Sequence, residues 1–134
     1  MAQEPDKRGR RVLIVDDDKI VRLKAAKMLE ECGCEAVAAV SGWDALTRLE
    51  DIKPDLILLD ITMEPLDGFK TLTLIRASKE EYANIPVVML SSHDDVFTIG
   101  KSRDRGCSAY LDKPLEMQDL KQVLAEFLSV RAAM

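Results

Sequence analysis

Five short apolar runs recur along this chain, separated by amphipathic stretches of helical length, and that alternation narrows its fold to one class. The runs occupy residues 11–15, 34–40, 55–60, 86–91 and 108–111. Leu56-Ile57-Leu58-Leu59 is unbroken by any polar residue, which is the pattern of a strand covered on both faces. Five strand–helix units argue for an α/β domain, a doubly wound parallel sheet with helices on both faces.

The stretches between the runs carry helical spacing. In residues 19–32, Val21, Ala25, Met28, Leu29 and Cys32 fall on one face, and Gly33 stands where a C-cap belongs. Ser41 and Asp44 have the spacing of a capping box; Ala45, Leu46 and Leu49 line the helix they open, and Lys53-Pro54 breaks it. A loop runs to Gly68, after which Phe69, Leu72, Ile75 and Arg76 mark a third helix. Residues 95–105 read as a weak fourth helix, with Gly100 inside and only Val96, Phe97 and Ile99 as anchors. Met117, Leu120, Leu124, Phe127 and Leu128 give the last helix its apolar stripe, ending near Val130. A length of 134 residues suits one domain with a single core. The expected division is a polar, flexible N-terminal tail over 1–10, a folded domain over 11–130 and a short tail over 131–134.

Composition excludes several functions. A net charge of −5 and a pI of about 4.9 argue against nucleic-acid binding, which needs clustered Lys and Arg. Residues Lys7, Arg8, Arg10 and Arg11 form a basic cluster too small for an interaction arm. No apolar run reaches membrane-spanning length, and MAQEPDKRGR lacks the apolar core of a signal peptide, so a cytoplasmic protein is expected. Cys32, Cys34 and Cys107 are an odd number without a disulfide pattern and read as reduced thiols. One histidine and no second Cys pair argue against zinc.

The chemistry lies where the runs stop. The first ends in Asp16-Asp17-Asp18, the third in Asp60, the fourth in Ser91-Ser92, and the fifth leads into Lys113-Pro114. Ligands of open α/β sheets bind beyond the carboxyl ends of the strands, where strand order reverses. Two carboxylates about 4 Å apart repel by roughly 4 kcal/mol at an effective dielectric of 20, so such a cluster needs raised pKa values or a cation. Hard oxygen donors beside room for water suit Mg²⁺ (or Mn²⁺). Lys113 adds a mobile point charge able to pair with a carboxylate or a phosphoryl oxygen. Asp18, just before the helical stretch, reads as an N-cap.

VLIVDDD, DLILLDITMEPLDGF, IPVVMLSS and YLDKP stand in this order, and through them the chain resembles a response-regulator receiver domain from about residue 10 to 130. The resemblance implies a (βα)5 fold of strand order 2-1-3-4-5 and phosphorylation on Asp60 by a histidine kinase or a histidine phosphotransfer domain. By position it makes Asp17 a direct Mg²⁺ ligand, Asp16 one acting mainly through water, and Thr62 a ligand through its backbone carbonyl. Ser91 becomes the hydroxyl that bonds the phosphoryl group, Lys113 the lysine that pairs with it, and Tyr110 an aromatic switch. Thr62 and His93 occupy positions that tune dephosphorylation in the family. Such a protein signals through contacts with a downstream protein, using the face of its fourth helix, fifth strand and fifth helix, and is not a conventional enzyme. The stretch IPVVMLSSHDDVFTIGK most resembles stand-alone receivers of chemotaxis and type IV pilus twitching systems.

The residues fit this chemistry independently, because phosphoryl transfer asks mainly for positioning and charge neutralisation. Asp60 would be the nucleophile, needing no general base since it is already ionised. One departure stands out: Glu64 intervenes where the family usually has Met-Pro, so proline arrives only at Pro65. Other classes fit less well. Asp16-x-Asp18 resembles the opening motif of haloacid-dehalogenase-like phosphohydrolases, but Ile20 stands where that motif expects Thr or Val, and Asp60 goes unexplained. A flavodoxin-like FMN binder would need a Ser-, Thr- and Gly-rich first loop, where three aspartates would repel phosphate. A phosphorelay intermediate and an unphosphorylated interaction module of the same fold remain as alternatives.

Overall fold

The computed structural model of the chain describes residues 10–92 and 106–128. The expected helix at 95–105, His93 and the expected helix end near Val130 lie outside them. In chain order the elements are β1 (Arg11–Val15), α1 (Lys19–Glu31), β2 (Glu35–Ala39), α2 (Gly42–Ile52), β3 (Leu56–Asp60), α3 (Gly68–Ser78), a 3₁₀ turn (Glu80–Tyr82), β4 (Val87–Ser91), β5 (Ala109–Asp112) and a last helix (Met117–Leu128). The strands form one parallel sheet in the order β2-β1-β3-β4-β5, which is the expected 2-1-3-4-5.

Side chains that alternate along the strands sort the core into two halves. Leu13, Val15, Ile57, Leu59, Val87 and Met89 pack with α2 and α3 on one face of the sheet. Val12, Ile14, Leu56, Leu58, Val88 and Leu90 pack with Ala25 and Leu29 of α1 and with Leu120, Val123 and Leu124 of the last helix on the other. All five residues of β3 are buried, as its unbroken apolar run requires.

Several boundaries move by a residue, for local reasons. Helix α1 stops at Glu31, with Cys32 as its C-cap and Gly33, at φ +81°, in the left-handed position that follows. Cys34 belongs to this cap rather than to β2, its N–H donating to the Leu29 carbonyl at 3.0 Å. The box at Ser41 closes asymmetrically: Ser41 Oγ accepts from the Asp44 N–H at 3.0 Å, while the Asp44 carboxylate reaches the N–H of Val40, not of Ser41. Asp55 leaves β3 and instead accepts the Arg11 N–H at 2.8 Å, and β5 runs one residue further than expected, to Asp112. The 3₁₀ turn was not foreseen; it buries Tyr82, whose hydroxyl donates to the Leu49 carbonyl at 3.3 Å.

Strand order reverses between β1 and β3, since β2 lies to one side of them and β4 and β5 to the other. Val15 pairs with Leu59, so Asp16 and Asp60 leave the sheet as neighbours at that crevice. Ser91 pairs with Asp112, which sets Lys113 one step beyond the end of β4.

Candidate cation and phosphoryl site

Carboxylate oxygens of Asp16, Asp17 and Asp60 lie within 4.8 Å of one another beyond the ends of β1 and β3. Asp16 and Asp60 are buried and Asp17 is exposed, so the cluster opens to solvent on one side. Lys113 closes the other side. Its Nζ donates to Asp60 Oδ1 at 2.8 Å and lies 3.0 Å from Asp16 Oδ2. The Lys113 N–H donates to the Ser91 carbonyl at 2.8 Å, which ties the lysine backbone to the end of β4.

The turn after β1 is held from within. The Asp18 N–H donates to Asp16 Oδ1 at 2.9 Å, and Asp18 Oδ1 in turn accepts from the N–H groups of Ile20 and Val21, the N-cap expected of it. The turn after β3 is tied back in the same way, with the Thr62 N–H donating to Asp60 Oδ1 at 3.3 Å. Met63 and Leu66 are buried while Glu64 and Pro65 are exposed. The unusual Glu64 therefore projects to solvent, and two apolar neighbours anchor its loop. Gly68 brings α3 back against the strand end. A Cβ there would stand 2.1 Å from the Asp60 carbonyl oxygen, so only glycine fits.

Charge in this crevice is out of balance. Burial pushes the Asp60 carboxyl up; the hydrogen bond from Lys113 opposes this, the charge of Asp16 adds to it, and the net position is about 6. A carboxyl at about 6 is mostly ionised at neutral pH, with a narrow margin. Partial burial works against the Lys113 ammonium, but its contacts with Asp60 and then Asp16 outweigh that and raise it above the ordinary lysine range. Asp16 Oδ2 is buried, and the Lys113 ammonium at 3.0 Å is its compensation. An all-oxygen donor set with surplus negative charge fits a hard divalent cation.

The sheet thus brings Asp16, Asp17, Asp60, Thr62, Ser91 and Lys113 to one edge. Ser91 is buried at the end of β4. Tyr110 does not join them; it is half-buried and packs against the α2–α3 half of the core. Sequence reasoning used Gly68 only as a loop end and missed its approach to Asp60; the Asp67-Gly68 pair before a helical stretch was the available signal.

The response regulator receiver domain family matches residues 12–125. This chain is a response-regulator receiver domain. Protein PilG of Pseudomonas aeruginosa is 38% identical over 120 residues, covering 90% of this receiver and 87% of PilG. The CAI-1 autoinducer sensor kinase/phosphatase CqsS of Vibrio cholerae is 33% identical over 119 residues, but the match spans only 17% of that longer protein. Among solved structures, the chemotaxis protein CheY4 of Vibrio cholerae superposes with a TM-score of 0.81 at 26% identity, over 89% of this chain and 98% of that one. Among the described residues, no helix of this receiver is long and apolar enough to cross a membrane.

Proposed function

We propose that this receiver is a single-domain, cytoplasmic response regulator that accepts a phosphoryl group on Asp60 from a histidine kinase or a histidine phosphotransfer domain. The observation that carries this reading is the pairing of a three-carboxylate cluster with one lysine that touches two of its members. On this reading residues 11–130 form the receiver, flanked by segments 1–10 and 131–134, and it signals to a downstream protein rather than to nucleic acid.

Asp16, Asp17 and Asp60, with the Thr62 carbonyl, would hold Mg²⁺. When bound, Mg²⁺ supplies positive charge that offsets the carboxylates and an incoming phosphoryl group. The chain's own groups do the rest. Asp60 attacks phosphorus through a carboxylate oxygen, and the bond to the donor histidine nitrogen breaks. Lys113 then exchanges a carboxylate partner for a phosphoryl oxygen, and the Ser91 hydroxyl donates to another. Catalysis is positioning and charge compensation, so no proton need be removed from the nucleophile at neutral pH. Tyr110, three residues before Lys113 on the same short segment, would be the switch that follows a change at the site. Thr62 and His93 are the positions from which acyl-phosphate lifetime would be tuned. A pathway of the chemotaxis or type IV pilus twitching type is the reading we favour, and the likeness to the chemotaxis protein CheY4 supports it.

Incubation with Mg²⁺ and a small acyl-phosphate donor, followed by intact mass measurement, tests the proposal. A phosphoryl mass gain that disappears in Asp60→Asn is the expected outcome. A well-folded protein with no gain would favour the unphosphorylated interaction module instead.

A further inference from the structure

Arg22 lies one turn into α1 and belongs to none of the site motifs, yet it reaches back to the acidic turn. Its guanidinium donates to the backbone carbonyl of Asp16 at 2.8 Å. That carbonyl sits at the end of β1 on a fully buried residue, and a buried carbonyl needs a partner. Arg22 supplies it from the helix that the turn itself opens. The Arg22 N–H also donates to the Asp18 carbonyl at 3.0 Å, and the Asp18 N–H donates to Asp16 Oδ1. The bond to Asp18 is the first backbone bond of the helix, which any residue here would make; the guanidinium adds the bond to Asp16, so that both neighbours of Asp17 are held while Asp17 itself is exposed and presents its carboxylate to the cluster.

We infer that Arg22 is a positioning residue for the cation site: it clamps the Asp16–Asp18 turn so that the Asp17 and Asp16 carboxylates face Asp60. The inference rests on the reading of the cluster as a Mg²⁺ site. Two effects of the guanidinium can be separated by sign. As a nearby positive charge it disfavours a bound cation, so deleting it should tighten Mg²⁺ binding if charge alone matters. As a clamp it pre-forms the ligand turn, so deleting it should weaken binding. Groups that orient metal ligands are worth about 10–100-fold in metal affinity, while one partly exposed charge is worth less; the clamp should win.

Isothermal titration of Mg²⁺ into the whole chain, well below the unfolding temperature, reads this directly and without reference to phosphorylation. Arg22→Met keeps the aliphatic stem and removes the donors; about 10-fold weaker Mg²⁺ binding is expected. Arg22→Lys restores a donor and the charge, and should recover binding to within about 3-fold of the parent protein. If Arg22→Met does not fold, Arg22→Leu carries the same expectation. Unchanged or tighter binding in the Met or Leu variant would overturn the clamp, as would a Lys variant as weak as either. A parent protein that binds no Mg²⁺ would instead overturn the reading of the cluster, and the clamp with it.

Discussion

Asp60 is held between opposing influences, and the balance makes it a reporter of its own site. Burial and Asp16 favour the neutral acid; Lys113 and the Thr62 N–H favour the anion; the carboxyl settles at about 6. In the unfolded chain an aspartate titrates near 3.9. Without a bound cation, the folded protein therefore holds a proton that the unfolded chain has lost between about pH 4 and 6. Its stability falls as pH rises through that window. Asp60→Asn should accordingly stabilise the cation-free protein at pH 7.5 by up to about 3 kcal/mol. The gain should vanish below about pH 3, where both states carry the proton; urea unfolding in the presence of a chelator checks both ends. Lys113→Met should act oppositely on the same carboxyl, moving its titration above 6 in carboxyl NMR, and should slow phosphorylation by about 100-fold. The identities of these residues were legible in the sequence because each stands at the end of an apolar run. The titration of Asp60 was not, because it depends on how deeply the crevice buries the group and on which carboxylate shares Lys113.

Helix starts and turns set how rigidly those residues are presented. Gly68→Ala would drive a methyl into the Asp60 carbonyl. It should cost about 1–3 kcal/mol in urea unfolding, in line with overpacking elsewhere, and should weaken Mg²⁺ binding by moving the strand end. Ser41→Ala removes the cap of α2, a side-chain bond made to Asp44 and to none of the cluster residues. It should cost about 1 kcal/mol and leave Mg²⁺ affinity unchanged, which separates general stability from site geometry. Caps such as Asp18 and Ser41 could be read in advance, since their chemistry is local. Gly68 and Arg22 could not, since what makes them matter is a backbone group from another element, placed there by the sheet. The 3₁₀ turn escaped notice for a similar reason: Tyr82 is drawn inward by a carbonyl at the end of α2, 33 residues earlier.

At the level of the molecule, the alternation of five runs sufficed for the fold class, because a both-faces-buried strand flanked by helices has few alternatives, whereas the strand order followed only from the resemblance to a receiver domain. The split of the core into two halves follows from the period of two along each strand. A cation that binds only the folded crevice should stabilise the whole domain, by about 2.7 kcal/mol at one hundred times its dissociation constant. The gain should shrink below pH 6 as Asp60 protonates, and thermal unfolding across pH with and without Mg²⁺ checks it. Lys113 carries a last consequence. It meets Asp60 across 53 positions of sequence, from a strand that joins the sheet at its edge. A ribosome releases the three acids long before the lysine. Until β5 docks, the crevice is a bare anionic pocket with a standing repulsion, which the arrival of one ammonium relieves. Docking of β5 thus both completes the sheet and brings the crevice its compensating charge.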